Sequence, residues 1–105
     1  FDNEKYYSFI KRCRAEGISF PIIPGIKPIV FKNQLTVLPK VFRSDIPEPF
    51  AAELRKCKTD DEAKAIGVEW CIQQCKDLIA HGVPSLHFYT FMASDSVYKV
   101  AKEIY

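Results

Sequence analysis

Apolar positions recur along this chain with two periods, and the switches between them mark out the elements. Tyr6, Phe9, Ile10 and Cys13 stand at i, i+3, i+4 and i+7, one stripe of a helix predicted over residues 3–16. Asp2 or Asn3 can cap it, Glu4 suits its first turn, Lys11, Arg12 and Arg14 suit its carboxyl end, and Gly17 stops it. Phe20-Pro21-Ile22-Ile23 is apolar on both faces, which predicts a short covered strand that starts at Pro21 and ends at the Pro24-Gly25 turn. Gly25 is expected to adopt a positive φ there. Lys32, Asn33 and Gln34 follow Pro28 and open a short helix over 31–38, stopped by Pro39. Residues 42–46 connect to a helix that starts with Asp45 as cap and Pro47 in its first turn, and runs to Cys57.

The sharpest local signal is Thr59-Asp60-Asp61-Glu62, a capping box. It predicts a helix to about His81, with Gly82 just beyond. Ile66, Trp70 and Gln74 form one stripe of that helix, and Val68, Ile72, Cys75 and Ile79 another. Gly67 in its middle costs about 1 kcal/mol relative to Ala, which points to a close-packed neighbour at that position. Leu86 to Thr90 alternates as a second strand, with Leu86 and Phe88 on one face and His87 and Tyr89 on the other. Ser94 or Asp95 caps a last helix through Tyr105, whose apolar side carries Val97, Val100, Ala101 and Ile104.

The order is helix, strand, helices, strand, helix: an α/β chain whose strands, separated by helices, should be parallel. Two parallel strands do not make a stable sheet, since three or more are the usual minimum. The 105 residues, read as one unit, are therefore expected either to form part of a larger α/β protein or to associate as a homo-oligomer. The chain opens at Phe1 without Met and reads as cut from a longer polypeptide.

Composition narrows the function classes. Hydrophobic residues make up 48% and charged residues 27%, a globular balance. A net charge of +2, with the basic residues scattered, gives no footprint for nucleic acid, and no apolar run approaches a membrane span. Of the four cysteines, Cys71 and Cys75 stand at i, i+4 in the long helix. With His81 or His87 they could meet a metal, but no zinc-type spacing occurs; buried, reduced thiols in a cytoplasmic protein are the expectation.

Ligands of α/β folds bind at the carboxyl edge of the sheet, which makes the stretch from Phe20 to Gln34 the place to look. The Gln34 amide could hold a ring through paired donor and acceptor groups, although taken alone it reads as a solvated helix residue. His87 could move a proton or ligate, and Tyr89 could stack or donate; both also suit packing. Lys27 reads as an exposed lysine, and Trp70 and Phe88 as core.

The N-terminal block FDNEKYYSFIKRCRAEGISFPIIPGIKPI, with GVEWCIQQCKDLIAHGVPSLHFYT after it, resembles the C-terminal part of the catalytic domain of the methylenetetrahydrofolate reductase family. The likeness covers nearly all 105 residues. It implies the C-terminal portion of a (β/α)8 TIM barrel: the sixth helix, the seventh strand with its helices, and the eighth strand with the closing helix. It implies an FAD enzyme that uses NADH or NADPH to reduce 5,10-methylenetetrahydrofolate to 5-methyltetrahydrofolate, in one-carbon and methionine metabolism. By the same resemblance Gln34 contacts the folate, Leu38 packs on the substrate side and Phe91 lines the pocket, while His87 and Tyr89 face the barrel interior. The acidic residue that assists folate protonation and most FAD contacts lie outside the chain, so the fragment alone is expected to be inactive and to bind no FAD. Ala93 stands where some bacterial relatives carry a basic residue near the folate tail. The competing expectation is a non-enzymatic α/β module, stable only as an oligomer or with a partner.

Overall fold

A computed structural model describes all residues from Phe1 to Tyr105. It contains α1 (Asn3–Ala15), β1 (Gly25–Ile26), α2 (Gln34–Phe42), α3 (Glu48–Lys56), α4 (Asp60–Ala80), β2 (His87–Phe88) and α5 (Ser94–Ile104). The two strands are parallel, with Gly25 opposite His87 and Ile26 opposite Phe88. The pairing rests on His87 N–H donating to Pro24 O at 3.1 Å and Tyr89 N–H to Ile26 O at 2.9 Å. The order and the parallel sense match the sequence expectation; a closed barrel is not contained in a two-stranded sheet.

The caps explain most boundaries. Asp2 accepts from the Glu4 N–H to start α1, and Gly17, at φ 83°, lies just past its end. Thr59 accepts from the Glu62 N–H at 3.2 Å, while the Glu62 carboxylate takes the Lys58 N–H at 2.6 Å, one residue earlier than a standard capping box. Gly82, at φ 77°, follows α4.

Four local expectations are corrected. The first strand is not Phe20–Ile23 but Gly25–Ile26. The carbonyls of the earlier stretch are taken by α1 side chains: the Tyr6 hydroxyl donates to Ile22 O at 2.7 Å, and Arg14 donates to Ile18 O and Phe20 O. Phe20 and Ile23 are left exposed at 64% and 51%. Pro39 does not stop α2: it removes only the donor for the Leu35 carbonyl in the first turn, and the helix continues to Phe42 before Arg43 turns left-handed at φ 54°. Asp45 does not cap α3, because its carboxylate pairs with Lys5; Pro47 occupies the cap position without a side-chain bond. Neither Ser94 nor Asp95 caps α5: both are helical, and buried Ala93 precedes them.

The long helix α4 is the spine of the fold. Its buried residues are Ala63, Gly67, Cys71, Ile72, Cys75 and Leu78, mostly small side chains at i, i+4 spacing. This face keeps Ile72 and Cys75 of the expected stripes, but Ile66, Val68, Trp70 and Gln74 are only half-buried and Ile79 is 43% exposed. Small residues let neighbouring backbone approach: a Cβ on Gly67 would stand 2.1 Å from Ile29 O. One apolar cluster gathers Ile26, Cys71, Ile72, Cys75, Leu78 and Val100, with Leu86 and Phe88 against it. A second gathers Ile29, Leu38, Phe50, Leu54, Cys57 and Ala63. Phe50 stacks on Trp70 there, with ring centroids 4.6 Å apart, and the Trp70 indole donates to Phe1 O at 3.1 Å.

The shape is an open slab of 47 × 30 × 22 Å, with a radius of gyration of 14.3 Å. A closed domain of this length would have about 13 Å. Helices cover one face of the strand pair and leave the other bare. No helix is long and apolar enough to cross a membrane.

Candidate functional site

Because β1 and β2 are parallel, their carboxyl ends lie at one edge, and the segments 27–33 and 89–93 both leave from it. Alternation places Ile26 and Phe88 on the helix-covered face. Gly25, His87 and Tyr89 occupy the bare face, all three exposed. His87 and Tyr89 meet edge to face, with centroids 4.9 Å apart at 78°. The Tyr89 ring lies over Gly25: a Cβ at that position would stand 2.7 Å from Tyr89 Cε2. The expected positive φ at Gly25 is therefore corrected, since positive-φ glycines occur only at 17 and 82. Residue 25 lacks a side chain because an aromatic ring occupies its space.

After β1 the chain dives under α4, and Pro28, Ile29 and Val30 are buried. It emerges at Phe31 and turns into α2, with Gln34 N–H donating to Phe31 O at 3.1 Å. The Gln34 side chain folds back over this turn. Its Oε1 accepts from Val30 N–H at 2.7 Å and from Phe31 N–H at 3.0 Å. Both partners are donors, so the oxygen is fixed as the contacting atom, and its two lone pairs are filled. The Nε2 amide makes no hydrogen bond within the chain. Gln34 thus has its acceptor committed to the turn and its two amide donors without a partner in the chain.

Leu38, one helical turn on, is 4% exposed and packs in the core with Ile29, Phe50 and Leu54. It supports α2 from beneath and presents no open surface. Phe91 stands 82% exposed beside Met92, which is 70% exposed and left-handed at φ 55°. The Ala93 N–H closes that turn on Thr90 O at 2.8 Å. The structure brings His87 and Tyr89 together, sets Phe91 on one segment leaving that edge and Gln34 at the start of the helix after the other, and withdraws Leu38 into the core.

Asp60 is the residue that local pattern does not reveal. Its Oδ1 accepts from Lys32 N–H at 2.8 Å, across 28 residues. As the first residue of the capping-box helix it carries an obvious local meaning, which hides the long-range one. A shallow depression of about 800 Å³ lies beside it, lined by Phe31, Lys32, Asn33, Leu35, Thr36, Arg55 and Asp60. Arg55 is held there by a two-pronged pair with Glu48, at 2.7 and 3.1 Å, which lowers the Glu48 carboxyl below its usual range. The four cysteines are free and buried, and no group of three or more His, Cys, Asp or Glu is gathered for a metal. His81 is engaged instead with Tyr7, at 3.0 Å and with the rings stacked at 4.3 Å.

One common cradle for a dinucleotide diphosphate is glycine-rich backbone ahead of a helix N-terminus. Segments 27–33 and 89–93 contain no glycine, and Asp95 places a carboxylate in the first turn of α5. Neither segment offers that cradle.

A profile of the methylenetetrahydrofolate reductase family matches residues 1–105. A probable methylenetetrahydrofolate reductase (NADPH) of Caenorhabditis elegans is 35% identical over 99% of the chain, which covers 16% of that protein. A methylenetetrahydrofolate reductase (NADH) of Arabidopsis thaliana is 36% identical over 91% of the chain, again 16% of its own length. The 5,10-methylenetetrahydrofolate reductase of Buchnera aphidicola is 34% identical over 95% of the chain and 35% of its length. The chain thus spans about a sixth of the first two relatives and about a third of the bacterial one.

Proposed function

The chain belongs to the methylenetetrahydrofolate reductase family, and from that premise we propose that it supplies the folate-facing wall of a flavin-dependent reductase. The reaction is the NAD(P)H-dependent conversion of 5,10-methylenetetrahydrofolate to 5-methyltetrahydrofolate. The flavin, when bound, relays the hydride. It is assigned to other parts of the protein, since neither segment at the strand ends offers a glycine-rich cradle for its diphosphate.

The observation that carries the reading is the Gln34 amide. Its oxygen is spent on the turn, and its NH2 makes no hydrogen bond within the chain at the start of the helix that follows β1. A pterin carries ring nitrogens and a carbonyl oxygen that accept from such a group. Exposed Phe91 and Tyr89 supply apolar and aromatic surface for a flat ring, and His87 holds Tyr89 edge-on. Residues 1–105 are the C-terminal portion of a (β/α)8 barrel in this reading. The bare sheet face with Gly25, His87 and Tyr89 lines the barrel interior, and Leu38 braces α2 behind Gln34. The protein works in the cytoplasm on one-carbon units, and the isolated fragment is inactive.

The test separates the two half-reactions in the intact protein that carries this segment. Gln34→Ala should weaken reoxidation of the reduced flavin by the folate and leave reduction of the flavin by NAD(P)H largely unchanged. Equal loss of both refutes the role.

A further inference from the structure

We propose that Asp60 is a positioning residue for the Gln34 amide, acting through the backbone of the segment between them. This deepens the folate role just proposed for Gln34 and rests on it.

Three successive backbone N–H groups, of Val30, Phe31 and Lys32, line the turn before α2. Gln34 Oε1 takes the first two, and Asp60 Oδ1 takes the third at 2.8 Å. The Gln34 side chain is therefore not anchored to a helix alone. Its acceptor atom sits on a turn whose far end is tied to another element. A second tie lies two helical turns along α4, where Gly67 admits the Ile29 peptide so closely that any Cβ would collide with its oxygen. Asp60 and Gly67 stand on one face of the longest helix in the chain, 21 residues, which spans both apolar clusters. Lys64, one turn after Asp60, pairs with Asp95 in the first turn of α5, the helix that follows the segment carrying Phe91.

A donor aimed at a ligand must be held to within about half an ångström and 10–20°. The Gln34 side chain cannot supply that precision if the turn it rests on moves. A capping residue serving only its own helix would bond to N–H groups of α4. Asp60 is the first residue of that helix, while the cap bond of α4 is made by Thr59. The Asp60 carboxylate instead crosses to Lys32, 28 positions earlier in the chain.

The test uses the intact protein with Asp60→Ala, Asp60→Asn and Gln34→Glu, read by two methods. Amide exchange of the 27–36 segment reports the turn, and the two half-reactions report function. Asp60→Ala should speed exchange at Phe31 and Lys32 and raise the folate KM, each about tenfold or somewhat less, the scale set by one charged hydrogen bond at an exposed site. Reduction by NAD(P)H should not change. Asp60→Asn, which keeps an acceptor oxygen, should restore both readouts to within about twofold. In the Gln34→Glu background, Asp60→Ala should add little to the folate loss, because the two act on one group.

An unchanged folate KM in Asp60→Ala, with Gln34→Glu impaired, overturns the Asp60 assignment and leaves Gln34 standing. Full additivity of the two substitutions overturns it as well. A Gln34→Glu variant with normal folate use removes the role of Gln34, and that of Asp60 with it.

Discussion

Replacing Gln34 by Glu and by Ala separates the two ends of one amide. Gln34→Ala removes the acceptor for two backbone N–H groups. Val30 is buried, at 5% exposure, so its N–H loses its partner without access to water, at a cost of about 1–3 kcal/mol. Phe31 is 38% exposed, and its N–H can turn to solvent at little cost. The sum is about 2 kcal/mol of local stability. Gln34→Glu keeps an oxygen in place, and a carboxylate accepts from N–H groups at least as well as an amide. Its stability should stay near that of the parent. Both variants lack the NH2 donor. One neutral hydrogen bond is worth about 0.5–1.5 kcal/mol, so folate use should fall roughly three- to tenfold in each. It should fall further in Gln34→Glu if the carboxylate faces a ligand acceptor. Thermal unfolding and single-turnover reoxidation by the folate, measured on the intact protein, read the two effects apart. A Gln34→Glu variant that melts as early as Gln34→Ala refutes the bonding pattern. One that melts normally and uses folate normally refutes the donor role.

Other consequences are equally direct. Gly67→Ala must displace the Ile29 backbone and should destabilise by about 1–3 kcal/mol or more, whereas Gly25→Ala meets only a movable Tyr89 ring, so its smaller loss of melting temperature should vanish in a Tyr89→Ala background. Asp77 accepts from the Tyr7 hydroxyl at 2.6 Å and from Asn3 at 2.9 Å, and these bonds hold its carboxyl below the usual range. A depressed carboxyl stabilises above its unfolded pKa of about 4 and loses that contribution as pH falls through the folded value, so exchange protection of α1 should drop below pH about 4, and Asp77→Asn should flatten that dependence. The isolated 105-residue chain should self-associate at micromolar concentration, since Phe20, Ile23, Val41 and Phe42 stand 51–68% exposed; a clean monomer by light scattering counts against this.

Helices were the legible part of the sequence, because their caps and stripes are local. Asp2, Gly17, Thr59 and Gly82 all act where the chain itself announces them. Strand β1 was not legible for a physical reason. Phe20–Ile23 has strand composition, but Tyr6 and Arg14 on α1 claim its carbonyls, and no local pattern reports a competitor 6–16 residues away. Pro39 misled in the opposite way, since a proline ends a helix only where the bond it removes matters. The buried face of α4 was legible in part: Ile72 and Cys75 lie on an expected stripe and the thiols are buried as expected, while Ile79 on the same stripe is exposed. Ala63, Gly67, Cys71 and Cys75 are buried through being small, and Gly67 with two cysteines at i+4 steps was the available signal.

The site shows how far a residue-level resemblance reaches. It named Gln34, Leu38, Phe91, Tyr89 and His87 as one group, and the structure divides them by what each side chain is free to do. Leu38 has no free surface, His87 and Tyr89 lean on each other, Phe91 is bare, and Gln34 is half committed. The half commitment matters most. An amide with both ends free can turn over and present either donor or acceptor, so it discriminates poorly between ligand tautomers. An amide whose oxygen is filled by two backbone N–H groups can only donate. A ligand that meets it must offer an acceptor at that point, and one that offers a donor leaves two N–H groups facing each other. In the folate-facing role proposed for Gln34, selectivity would be set by the turn at Val30–Lys32 as much as by Gln34 itself, and substitutions that spare every ligand-facing atom should still alter it.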